Sequence, residues 1–279
     1  MFFRNKTPAP KFETVKPSGE LDFDAIGKRD EYLDQKTKLI NQKLESVDRG
    51  VLVDIFLEIY RKSSKDQSEE KLFRYKRKIE AVLGEVSTYL PESKNDQSVA
   101  HVISGYVEFN SEVFENLDPL KLLRVFVHEV CHASSIYKSK GVEIPNKEWL
   151  GKTSYTAMNE AITEKMADYV VFEYISRSGN KKLYEDFDKE MRSREGYALE
   201  VCLLEDAIKD IASETGVSEE VVLGSIFGHY IRNDFERVLE SLSPEEVALF
   251  SRLKEPEAKI SDGLKVLFKN IVAKVFKNS

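Results

Sequence analysis

The chain has 279 residues, 41% hydrophobic and 33% charged, which suits a globular protein with a sizeable core and room for two or three domains. A formal net charge of −7 argues against nucleic acid as the main partner. Two cysteines, Cys131 and Cys202, provide no disulfide framework.

Residues 1–20 contain no apolar run of the length an export signal needs, and their Lys, Pro and Thr content reads as a mobile arm. No later segment reaches the apolar length of a membrane span. The expected compartment is therefore the cytoplasm, with export by a route that reads no N-terminal apolar segment left open.

From residue 21 to 95 the pattern is helical. Tyr32, Leu33, Ile40, Leu44 and Val47 fall on one face of a helix from Lys28 to Val47, which Gly50 is expected to break. Val51–Tyr60 reads as a short buried helix through Leu52, Ile55, Phe56 and Ile59, with a strand as the rival. Asp66 and Glu69 form a capping box for a third helix, whose apolar face runs through Leu72, Tyr75, Ile79, Val82, Val86 and Tyr89 to Pro91. These three helices read as an N-terminal bundle without chemistry of its own. A polar stretch at 92–97 marks the expected boundary to a core spanning 96–234, and 235–279 forms a helical tail.

The core opens on His101–Asn110, where Val107 and Phe109 alternate with Tyr106, Glu108 and Asn110 as in a strand. Asp118-Pro119 is a helix start, with Asp118 as N-cap. The helix that follows is apolar nearly all round and carries His128-Glu129-Val130-Cys131-His132. Histidines four apart on a helix share one face, so two neutral imidazoles can hold one side of a tetrahedral zinc ion. Glu129 stands where it can act as general base on a water at that ion. Cys131 reads as a small buried residue, with a thiol ligand or inhibitory switch as the alternative.

A loop at 134–153, with Gly141, Pro145, Trp149 and Gly151, leads to a second helix that runs to about Ser176. That helix carries Glu160 and Glu164, again four apart. A catalytic zinc needs a third protein ligand, and a ligating imidazole needs an acceptor on its other nitrogen. Glu160 would bind the metal and Glu164 would orient a histidine. A register one turn later, with Glu164 as ligand and Asp168 behind it, is the alternative.

At these residues the chain resembles the thermolysin-like zinc peptidases, the gluzincins, which carry H-E-x-x-H followed by N-E-x-x-[ST]-[DE]. The matching positions are His128, Glu129 and His132, then Asn159, Glu160, Thr163 and Glu164. The resemblance implies His128, His132 and Glu160 as zinc ligands, Glu129 as base, and Asn159 and Glu164 supporting the ligands. Ser134 departs from the longer family signature, which prefers an apolar residue there. The resemblance also implies an α+β, mainly α fold with a zincin-like core, and a sheet edge at about 104–109 that pairs with substrate backbone. The outer thirds of the chain lie beyond it. Enzymes of this kind add a donor for the developing oxyanion, and Tyr155, Tyr197 and His229 are the candidates, with nothing to separate them.

After residue 176 further helices are expected near 181–193, 197–212, 218–231 and 244–253. The last, 262–277, places Leu264, Leu267, Phe268, Ile271, Val272 and Val275 on one stripe amid Lys265, Lys269, Lys274 and Lys277. Packing of that stripe against the body is expected over contact with a membrane or partner. The functional expectation is a zinc peptidase acting on a peptide or protein substrate. A silent zincin-fold binding or scaffold protein is the alternative, and a helical interaction protein with chance histidines is the third reading.

Overall fold

The computed structural model describes residues 11–12, 14–16, 18, 20–63, 68–84, 86–91, 99–103, 106–135, 153–192, 198–231 and 262–277. The fold is mainly helical with one small three-stranded sheet, an α+β arrangement. Three helices come first: α1 (Phe23–Lys43), α2 (Arg49–Ser63) and α3 (Glu69–Gly84). Asp22 caps α1 by accepting a hydrogen bond from the Ala25 amide at 3.1 Å. Asp48 does the same for α2 through the Val51 amide at 3.1 Å. Gly50 therefore does not break the chain. It sits inside the first turn of α2, which Asp48 stabilises. Val51–Tyr60 is helix, not strand. Asp66 of the expected capping box lies outside the described residues.

The third helix ends earlier than its apolar spacing suggests. It stops at Gly84, and Val86–Tyr89 is strand β1. Val86 and Thr88 are buried while Ser87 and Tyr89 are half-buried, the two-residue alternation of a strand. Next come β2 (Ala100–Ile103) and β3 (Tyr106–Asn110). β3 pairs parallel with β1, Ser87 opposite Glu108, and antiparallel with β2, His101 opposite Glu108. The sheet thus joins residues on both sides of the boundary read at 92–97. Its order is β1-β3-β2, so β3 is the central strand. The expected substrate-pairing edge at 104–109 is corrected by this order: the backbone groups of β3 are engaged on both sides, and β2 is the outer strand that packs beside the next helix.

That helix is α4 (Pro119–Ser135), and the Lys121 amide donates to Asp118 Oδ1 at 2.9 Å, as the Asp-Pro pair predicts. α5 (Thr153–Ser178) is the central helix, packed by α4, α2, α7 and α8, and Met158, Ile162, Met166, Val170 and Val171 on it are fully buried. α6 (Lys181–Arg192), α7 (Ala198–Thr215) and α8 (Glu219–Ile231) follow. Gly179 and Gly216 end α5 and α7 in the left-handed region, at φ +65° and +71°, where a glycine pays no Cβ penalty. The last described helix, α9 (Asp262–Lys277), lays its apolar stripe on α7 and α8, and all six stripe residues are buried. Residues 244–253 lie outside the described residues. Of the expected arm, the Phe12 ring lies 5.8 Å from the Tyr32 ring at a tilt of 49°, and Val15 bridges Leu21. No described helix is long and apolar enough to cross a membrane.

Candidate metal centre

α4 and α5 lie side by side, and the one-turn spacings on each bring four side chains face to face. His128 Nε2 and His132 Nε2 are 3.1 Å apart. Glu160 Oε2 lies 3.4 Å from each of them. A tetrahedral ion with bonds of about 2.0–2.1 Å separates its ligand atoms by about 3.3 Å, so the three atoms already have the required spacing. Among the described residues, these three form a group that could hold a metal ion.

The far side of each imidazole is also engaged. With a cation held at Nε2, the ring proton belongs on Nδ1. His128 Nδ1 lies 2.7 Å from Glu164 Oε2 and donates to it. Glu164 is therefore behind His128, and of the two glutamates it is Glu160 whose oxygen lies with the two Nε2 atoms. His132 Nδ1 lies 3.3 Å from Thr163 Oγ1 and 3.3 Å from the Asn159 amide. Thr163 Oγ1 donates to the Asn159 carbonyl at 2.7 Å, so it accepts from His132 and, at 2.5 Å, from the Tyr230 hydroxyl. One histidine is thus held by a carboxylate and the other by hydroxyls.

Charge follows the same layout. Burial opposes ionisation of Glu160, but the hydrogen bonds from His128 and His132 outweigh it and hold the carboxyl down at about 2. Burial likewise opposes charge on His128, yet Glu160 and Glu164 hold the ring up at about 10. The pocket favours a positive charge between these groups, whether proton or cation. Burial raises Glu129 above the usual carboxylate range, against the pull of His132 and His128 and with the push of Glu160. A half-buried carboxyl so raised is suited to take up a proton and return it. Cys131 is fully buried, and its burial pushes the thiol well up, away from the thiolate form a metal would need.

The three oxyanion candidates are not gathered there by any described contact. The Tyr155 side chain and the whole of Tyr197 lie outside the described residues. His229 is buried on α8, about 100° round the helix from Tyr230. It is Tyr230 that reaches the site, its hydroxyl 3.5 Å from His132 Nδ1. That places the hydroxyl behind the histidine, where it supports the ring.

Sequence reasoning missed two participants. Tyr230 stands next to the histidine that was singled out, and nothing in one chain distinguishes which neighbour turns inward. Arg124 stands one turn before His128 and donates to Glu164 at 2.7 Å and to the buried Asp168 at 3.1 Å. Its four-residue spacing from His128 was the available signal. His101, on β2, is half-buried. Its ring centroid lies 4.1 Å from that of Tyr89, the planes tilted by 43°, and its Nε2 lies 3.3 Å from Glu108 Oε2. Comparison with protein-family models, curated proteins and solved structures finds no match to this chain.

Proposed function

We propose that this chain is a zinc-dependent peptidase with a zincin-like core. The observation that carries the reading is the trio His128, His132 and Glu160, whose ligand atoms sit 3.1–3.4 Å apart with a general-base candidate, Glu129, on the same helix. Two neutral imidazoles and one carboxylate are a donor set suited to catalytic zinc, which keeps a fourth position for water or substrate. Bound there, zinc would acidify a water and polarise the scissile carbonyl.

The remaining work falls to the chain itself. Glu129 takes the proton of the attacking water and returns it to the leaving amine. Its raised proton affinity suits both halves of that exchange. Glu164 and Thr163 hold the two imidazoles in the tautomer that leaves Nε2 free to ligate. A peptide would add along β2, the outer strand beside α4, by backbone pairing.

The test is Glu129→Gln. This variant should bind zinc as the wild type does and lose peptide hydrolysis. Cleavage by the variant at the wild-type rate would rule out the base. A wild type that binds zinc and cleaves no peptide in a broad library would favour the scaffold alternative.

A further inference from the structure

We infer that Arg124 is a positioning residue for the metal centre, acting through Glu164, with Asp168 as its anchor; this rests on the zinc reading above. Four side chains form a connected set between α4 and α5. Arg124 and His128 are one turn apart on α4, and Glu164 and Asp168 are one turn apart on α5. The carboxylate of Glu164 is divided between them: Oε2 lies 2.7 Å from His128 Nδ1, and Oε1 lies 2.7 Å from Arg124 Nη2. The same guanidinium nitrogen reaches Asp168 Oδ1 at 3.1 Å.

This is not an exposed surface pair of little consequence. The Arg124 side chain is 14% exposed, Glu164 16% and Asp168 7%. Three carboxylates, Glu129, Glu160 and Glu164, act on His128, and a fourth, Asp168, follows Glu164 by one turn on α5. Arg124 is the cation that the site's own geometry sets against two of them. Fixing Oε1 fixes the plane of the carboxylate, and thereby the direction in which Oε2 meets His128 Nδ1. A carboxylate so held orients the ring and raises its basicity as a ligand, an effect of about 10–100-fold in metal affinity where such partners have been removed. Asp168, one turn further on, holds Arg124 from behind and does not touch the histidines itself in any described contact.

A plain helix-to-helix ion pair would have the same distances, so the test must separate positioning from stability. Zinc affinity is measured by chelator competition for wild type, Arg124→Gln, Arg124→Lys, Glu164→Gln and the double variant Arg124→Gln/Glu164→Gln. Helix content and unfolding of each are followed by circular dichroism. The expected result is a loss of about 10–100-fold in Arg124→Gln, partly restored in Arg124→Lys, which keeps the charge and one donor. In the Glu164→Gln background the Arg124 substitution should cost nothing further, because the group it acts through is already neutral. Wild-type zinc affinity in a folded Arg124→Gln, or an equal loss with and without Glu164, would overturn the role of Arg124 and leave the zinc reading intact. A wild type that binds no zinc would overturn both. If Arg124→Gln fails to fold, Arg124→Lys compared in the two Glu164 backgrounds decides the same question.

Discussion

Replacing Thr163 by valine isolates the hydroxyl junction behind His132. Thr163 is fully buried, and its Oγ1 meets three groups: the Asn159 carbonyl at 2.7 Å, the Tyr230 hydroxyl at 2.5 Å and His132 Nδ1 at 3.3 Å. Valine keeps the shape and removes the acceptor. The Tyr230 hydroxyl, on a residue 3% exposed, would then face a methyl group. A buried donor deprived of its acceptor costs about 1–3 kcal/mol, whereas removing both partners together is close to neutral. His132 Nδ1 loses the same acceptor, and the Asn159 Nδ2 at 3.3 Å, itself a donor, does not replace it. Urea unfolding in the presence of a chelator measures the effect free of any metal contribution. Thr163→Val should lose about 1–3 kcal/mol with an unchanged denaturant slope. Adding Tyr230→Phe should recover part of that loss. A Thr163→Val variant as stable as wild type would refute the junction. So would a Tyr230→Phe change that adds its full single-variant cost in the Thr163→Val background.

Two further outcomes follow from charge and packing. His128 is held up at about 10 against an ordinary value near 6.5, so in chelator-treated protein its contribution is fully present below pH 6.5 and is lost as pH rises through about 10. Thermal midpoints against pH should fall on that alkaline limb and flatten when zinc is added; an identical slope in both would contradict the assignment. Ile271 is fully buried where α9 meets α7 and α8, so Ile271→Asp should cost at least several kcal/mol and expose the tail to trypsin. Wild-type resistance to the protease in that variant would show that the stripe does not hold the tail to the body.

The site was legible in the sequence to the extent that its chemistry is local. Four-residue spacing put His128 with His132, and Glu160 with Glu164, each pair on one helix face, and that much needs no tertiary information. Which glutamate faces the two Nε2 atoms depends on how α5 is rotated against α4, which the sequence left as two registers. Arg124 and Tyr230 were missed for the same reason: their roles lie in contacts with distant residues, Glu164 and Asp168 for the one, Thr163 and His132 for the other. The sheet was the weakest part of the reading. Val82, Val86 and Tyr89 continue the helical period of α3, yet Gly84 ends the helix and β3 offers a partner to Val86–Tyr89. The His101–Asn110 stretch contains two paired strands, and only the arrival of β1 from the other side makes β3 central. Capping, by contrast, is written in adjacent residues, and Asp118-Pro119 marked the start of α4.

Metal content of the purified protein, wild type beside Glu160→Gln and Glu164→Gln, tests the central claim most directly. The expected result is about one zinc per chain in the wild type, abolished in Glu160→Gln and only weakened in Glu164→Gln, as a ligand and a support behind a ligand require. Loss confined to Glu164→Gln would contradict the geometry of α5 against α4. No zinc in the wild type after reconstitution would contradict the metal centre itself and return the protein to the helical interaction reading.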